Sequence, residues 1–346
     1  MTDHTENVSP TVSAPPVEVP SAQPGRHAVR AERIGLLSIS LGVAGLGGAW
    51  QAAVTVHPVA LPVSDALYVV SAGVWLVLLF QYLRHGGAGR RNLRYDLRHP
   101  AQGFALAYVP IIGMLVAAHF ARFAPDGARW AYAVFAALAA LVAARLLAHW
   151  VTGSLSATIL HPGYLLPVSS APFIASATAS TLGLPGVADA AFAIGLLSWL
   201  TVGTVILGSL ITAGPLPRPA RPALTVLTIP PATGGLAWTA AHKGVFGPVG
   251  YGFAGILLFT LLLVAFLLPD LRQPSFHPGL WVYSFPTVAS TNFAIRLITA
   301  TRAPACPALT WALLASATGA LVLLSAATLR YAAGAVPERS RPSKEI

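Results

Sequence analysis

Four His-Pro pairs, at His57, His99, His161 and His277, each set a metal-ligating side chain in front of a proline. A metal site needs such side chains gathered into one shell, and these pairs lie far apart in the chain. Proline in the first turn of a helix is ordinary, because its missing N–H is not needed there. No metal site is expected. Cys306 is the only cysteine, so neither a thiolate cluster nor an intramolecular disulfide can form. Gly42, Gly45, Gly47 and Gly48 imitate a nucleotide-binding loop, but they lie inside an apolar run that no strand precedes. Close helix packing or pore width is the better reading. Neither lysine, Lys243 or Lys344, follows a glycine-rich phosphate loop, which argues against an ATP-driven engine. The apolar runs contain no paired carboxylates, no His-rich box and no nucleophile elbow, so the chain reads as a non-enzyme without a cofactor.

Composition says what surrounds these residues. Of 346 residues 55% are hydrophobic and only 9% charged, and the mean hydropathy is +0.69. A soluble domain carries roughly a quarter charged residues. This chain cannot cover itself with a hydrated surface, so its solvent is a lipid bilayer. The net charge of +10 would suggest nucleic acid in a soluble protein. Here the basic residues cluster between apolar runs, which is the pattern of membrane topology, and no nucleic-acid partner is expected.

Spanning a bilayer takes about 20 apolar residues in a helix. Ten runs meet that length: 35–56, 64–83, 101–120, 128–151, 162–182, 187–212, 223–242, 248–268, 278–301 and 308–331. The predicted fold is an all-α polytopic membrane protein of ten helices over 34–331. Residues 1–33 read as a disordered cytoplasmic tail and not a cleaved signal, and 332–346 as a second cytoplasmic tail. With the N-terminus inside, the inner connectors and tails hold 16 basic residues, among them Arg84, Arg90, Arg91, Arg94 and Arg98. The outer side holds 5: Arg122, Arg129, Lys243, Arg296 and Arg302. That split predicts both termini inside.

Prolines divide the runs into two kinds. The third holds Pro110, the fifth Pro167 and Pro172, the seventh Pro230 and Pro231, the ninth Pro286. The even-numbered runs have none in their interiors, and the first has glycines instead. Pro110, Pro167, Pro230 and Pro286 are spaced by 57, 63 and 56 residues, which reads as a helical hairpin used repeatedly. Proline removes a backbone hydrogen bond and kinks a helix. A freed carbonyl is costly against lipid, so broken helices must face protein or water. The alternation predicts five kinked odd helices inside and five straight even helices outside.

Charge within the runs is sparse. Asp65, Asp189 and Asp270 lie at run ends, and no carboxylate lies mid-run. That favours passive conduction over a proton relay and spares an anion its strongest repulsion. His119, His149 and His242 also sit at ends, where an interfacial polar role is expected. Arg296 can serve either as an anion attractor or as a snorkelling headgroup anchor. Further attraction is expected from N–H groups exposed at the kinks.

The stretch Trp281-Val282-Tyr283-Ser284-Phe285-Pro286, followed by Ala289, Asn292 and Arg296, resembles the ninth helix of the tellurite-resistance/dicarboxylate transporter family. That family includes bacterial TehA, plant guard-cell slow anion channels, fungal malate permeases and sulfite pumps. Leu36 to Trp50, Asp96 to Pro100 and Tyr164 to Val168 agree with it. The resemblance covers about residues 34–331. It implies ten helices, an inner ring of five around a pore, a homotrimer with one pore per subunit, and a phenylalanine plug. Phe285 is the best match for the plug, with Phe293, two turns on, as the runner-up. Gly42, Gly45 and Gly48 stand on the first helix, whose opening differs from the proline-led form of relatives. The expected function is an inner-membrane anion channel of a bacterium, passing small inorganic or organic anions. The alternative is a proton-coupled carrier of a C4-dicarboxylate, sulfite or tellurite on the same fold.

Overall fold

A computed structural model describes residues 34–87, 89–98, 103–154 and 161–334. Residues 1–33 and 335–346 of the expected tails, and His99-Pro100, lie outside these residues, whereas 332–334 of the second expected tail are helical. Among the described residues the chain consists of helices and their connections, without strands. The principal helices are α1 (Leu37–Ala53), α2 (Ala60–Tyr82), α3 (Tyr108–Phe120), α4 (Pro125–His149) and α5 (Ala171–Thr181). They continue as α6 (Pro185–Thr212), α7 (Ile229–Ala241), α8 (Gly247–Phe266), α9 (Ser284–Ala300) and α10 (Cys306–Gly334). Two short helices, Arg90–Arg98 and Leu268–Leu271, lie in connections.

Six helical stretches are long and apolar enough to cross a membrane: Gly103–Phe120, which contains α3, and those containing α2, α4, α6, α8 and α10. The remaining apolar runs miss that length because their helices are shorter or change type. Residues 162–170 form a 3-10 turn and a π turn before α5. Arg218–Thr228 is 3-10 before α7, and Pro278–Tyr283 is 3-10 before α9. Gly103–Ala107 is 3-10 before α3.

The prolines sit at these changes of helix type. Pro110 is the third residue of α3, Pro172 the second of α5, Pro230 and Pro231 the second and third of α7, and Pro286 the third of α9. Pro167 lies in the π turn. The helices are therefore broken, but not in mid-α-helix. Each α segment begins within two residues of its proline, where an N–H is dispensable. The 3-10 bonds take up carbonyls that a kink would strand: Ile229 N–H bonds to Val226 O, and Ser284 N–H to Trp281 O. The first run departs from the expected pattern, since α1 is uninterrupted and its glycines are contacts and not breaks.

Burial separates the helices. In the most apolar window of Gly103–Phe120, 61% of residues are buried, against 11–22% in the five other long stretches. Most residues of α1, α7 and α9 are also buried. The long helices turn apolar side chains outward, as in Phe259 at 69% and Leu323 at 72% exposure. Large side chains of that kind are at home against acyl chains. α1 packs on α3, α3 on α5, α5 on α7, α7 on α9, and α9 on α1. Each of these also packs on the helix that follows it in sequence.

Small and polar residues fasten these pairs. Ser40 Oγ donates to Ser71 O at 2.8 Å and Ser71 Oγ to Ser40 O at 2.9 Å, tying α1 to α2 in a fully buried pair. Trp281 Nε1 donates to Thr328 Oγ1 at 2.8 Å, joining the approach to α9 with α10. Interhelical hydrogen bonds within membranes are worth about 0.6–2 kcal/mol. Ser71→Ala is accordingly expected to cost about 1 kcal/mol, read as a lower unfolding temperature in detergent. A variant as stable as the wild type would show that the serine pair contributes nothing net.

Candidate functional site

Helices α1, α3, α5, α7 and α9 enclose a cavity of about 580 Å³, with Tyr68 of α2 and Pro125 and Arg129 of α4 completing its wall. It is lined mostly by Ala, Gly, Leu and Thr, and none of the residues lining it is Asp or Glu. On α9 the lining residues are Phe285, Ala289, Asn292 and Arg296, spaced to share one helical face. At 1.5 Å per residue, Phe285 and Arg296 stand about 16 Å apart along the axis. The cavity extends from Phe285 to the connection between α3 and α4, where Arg122 stands.

Phe285 ends the cavity. It is 7% exposed and also lines, with Pro286, a separate void of about 10 Å³. That void is walled by Ser38, Leu41, Tyr108, Leu166, Ile229 and Val282 among others. A water molecule needs about 10–15 Å³ of such space, so this void has room for one water at most. Leu166, Ile229 and Phe285 each immediately precede a proline. The changes of helix type therefore bring three bulky side chains to one level.

Glycines admit α9 to α1. A Cβ on Gly42 would collide with the Ser284 side chain, and one on Gly45 would overlap Val288 and lie 3.1 Å from the Phe285 ring. A Cβ on Gly48 would stand 3.0 Å from Asn292 Nδ2 and 3.4 Å from Tyr68 Oη. All three expected packing glycines thus face α9, and Gly45 and Gly48 also line the cavity. Phe293 stands elsewhere: it is 1% exposed, packs over Gly235, stacks on Phe246 with centroids 5.4 Å apart, and does not line the cavity.

Arg296 lines the cavity. Its Nε donates to Asn292 Oδ1 at 3.0 Å, and it lies within Coulombic reach of Tyr68. Among the described residues no carboxylate pairs with it. The other arginines of the wall are paired, Arg122 with Asp65 and Arg129 with Asp126 at 3.4 Å. His119 also lines the cavity, instead of serving only as an interfacial group. Its Nε2 donates to Asp65 Oδ1 at 2.8 Å, and its ring stacks on Tyr68 at 3.9 Å.

Tyr68 and Gln51 were not singled out in the sequence. A signal for Tyr68 existed: Ser64, Tyr68, Ser71 and Trp75 recur at helical spacing on an otherwise apolar run, and that stripe is buried. Gln51 offers a lone amide just beyond the glycine face and carries no comparable pattern. Among the described residues no group of three His, Cys, Asp or Glu side chains is disposed to hold a metal.

A sequence-family model described as SLAC1, voltage-dependent anion channel, matches residues 33–329. The chain is also 26% identical over 268 residues to the tellurite resistance protein TehA homolog of Haemophilus influenzae, covering 75% of this chain and 79% of that protein.

Proposed function

This chain belongs to the voltage-dependent anion channel family, and from that premise we propose that it conducts small anions passively through the cavity enclosed by α1, α3, α5, α7 and α9. It is a multi-pass membrane protein of a transporter and channel family. In this reading ten helices span the bilayer, the five cavity-forming ones inside and the five long exposed ones outside. The cyclic packing of the odd-numbered helices and the exposure of the even-numbered ones support it. The basic residues of the connectors favour both termini on the cytoplasmic side of a bacterial inner membrane. The cavity mouth then faces outward. Three copies assemble, each with its own pore, as family resemblance implies.

One observation carries the reading. A cavity with arginines but no carboxylate in its wall reaches Phe285, which also lines a separate void of about 10 Å³. A ring at such a point gates by excluding water. Arg296, without a carboxylate partner, attracts anions toward it. Gly42, Gly45 and Gly48 let α1 close against the gate helix, and the prolines Pro110, Pro167, Pro172, Pro230, Pro231 and Pro286 bring the constricting residues to one depth.

His119 in the cavity wall, hydrogen-bonded to Asp65 behind it, supplies the observation for a second reading, a proton-coupled carrier of a dicarboxylate, sulfite or tellurite. Proteoliposomes separate the two. With an imposed pH gradient and no anion gradient, a channel brings anions only to electrochemical equilibrium. Uphill accumulation that collapses with the proton gradient would overturn passive conduction.

A further inference from the structure

The far end of α2 carries chemistry that the cavity does not use. The apolar stretch Ala60–Gly86 closes on Arg84, His85 and Gly86. Gly86 has φ +87°, a left-handed backbone that glycine adopts without steric cost, and there the chain leaves the helix. Asn92 Nδ2 donates to Gly86 O at 2.8 Å, and Tyr82 Oη donates to Asp96 Oδ2 at 2.9 Å. These bonds fasten the short helix Arg90–Arg98 to the end of α2. Asp96 is the only carboxylate between Asp65 and Asp126, and it is buried. Arg84, Arg90, Arg91 and Arg94 are exposed, and no carboxylate pairs with them among the described residues.

Beside these arginines a hollow of about 400 Å³ lies on the outward face of α2, lined by Leu76, Val77, Phe80 and Gln81 and, at its end, by Arg84 and His85. Leu76, Val77 and Phe80 are exposed. The Arg84 guanidinium stands over the Phe80 ring, 5.7 Å from its centroid, so charge and apolar surface meet at one point. His85 Nδ1 donates to Gln81 O at 2.6 Å, which leaves Nε2 for a ligand. From Leu76 to Arg84 the helix rises about 12 Å, within the roughly 15 Å of hydrocarbon in one leaflet. A second copy of this chain would need carboxylates to cover such a patch. Among the described residues the exposed carboxylate in a connection on this side of the membrane is Asp270, and Arg221 already holds it at 3.0 Å. A phosphodiester supplies the missing charge, because a guanidinium meets two of its oxygens in one plane and basic residues beside a membrane helix attract anionic headgroups. We propose that the end of α2 and the helix Arg90–Arg98 form a binding site for an anionic phospholipid. Arg84 holds the phosphate, flanked by the arginines of the short helix, and one acyl chain lies along Leu76, Val77 and Phe80. The site is outside the cavity and does not depend on what passes through it.

The test adds phosphatidylglycerol or phosphatidylcholine, with the same acyl chains, to the full chain purified in detergent. Native mass spectrometry counts the lipid retained, and thermal unfolding gives a second readout. The wild type should retain phosphatidylglycerol in preference to phosphatidylcholine and unfold at a higher temperature with it. Arg84→Gln should weaken phosphatidylglycerol binding about fivefold, and the triple variant Arg90→Gln/Arg91→Gln/Arg94→Gln should weaken it at least as much. Arg302→Gln, in the connection before α10 at the other membrane face, should bind as the wild type does. Val77→Trp fills the hollow without altering charge and should also weaken retention. Soluble glycerol 3-phosphate should not stabilise the protein. Equal retention of the two lipids, or an equal loss in Arg302→Gln, would reduce the site to general attraction between a basic protein and an anionic membrane. Stabilisation by glycerol 3-phosphate would make the ligand a free phosphate, and unchanged binding by Val77→Trp would remove the acyl chain from the hollow; either overturns the proposal. So would a phosphatidylglycerol response that is absent while Arg84→Gln changes the oligomeric state in size exclusion, which would mark this face as a contact between copies.

Discussion

Phe285→Ala is expected to raise anion flux through proteoliposomes by about tenfold or more, the largest functional change foreseen for a single substitution. The ring stands between a cavity of about 580 Å³ and a void of about 10 Å³. Removing it joins the two into one wettable path, and an apolar constriction conducts once it holds water. Leu166 and Ile229 remain at the same level and restrain the opening. Phe285→Trp preserves the closure and should conduct no better than the wild type. The ring is 7% exposed, so its loss also reduces packing; a large-to-small core change costs about 3–5 kcal/mol when fully buried, and less beside a cavity. Size exclusion and an unfolding curve in detergent establish that the variant is folded. A folded Phe285→Ala that conducts like the wild type would remove Phe285 from the gate.

Gly45→Ala is expected to give the largest loss of stability from the smallest chemical change. The added methyl would overlap a methyl of Val288 and stand 3.1 and 3.3 Å from two carbons of the Phe285 ring. Val288 is fully buried and cannot swing away. Forcing a methyl group into packing of this kind costs about 1–3 kcal/mol, because α1 must move off α9 along their shared face. The check is a lowered unfolding temperature in detergent, together with recovery in the double variant Gly45→Ala/Val288→Ala. Adjacent residues of this sort are non-additive by about 0.5–3 kcal/mol. A single variant as stable as the wild type would mean that the two helices do not meet rigidly at Gly45.

Much of this architecture was legible in the chain. Charge scarcity and apolar run length depend on the solvent alone and need no knowledge of contacts, so a membrane location followed directly. Proline position marks a backbone that must break, and the structure has its changes of helix type at those prolines. The form of the break was not legible. Whether a proline kinks an α-helix or opens a new α segment after a 3-10 turn depends on which carbonyls find donors, and those donors are set by neighbouring turns. The glycines of α1 were readable as small, but not as the surface that meets Ser284, Val288 and Asn292.

Side-chain direction set the remaining limit. Arg296 near a run end is compatible with lipid headgroups or with a pore, and one helical step of about 100° decides between them. Sequence spacing places Phe285, Ala289, Asn292 and Arg296 on a common face, but which way that face turns is decided by what packs behind it. The buried stripe of α2, from Ser64 through Trp75, likewise becomes functional only when Tyr68 reaches over Gly48. Composition and proline's missing N–H were enough to give the solvent, the apolar runs and the places where helices must break. Which residues share the cavity wall, and which of its arginines has no carboxylate partner among the described residues, came from the packing alone, because both depend on side chains of separate helices meeting.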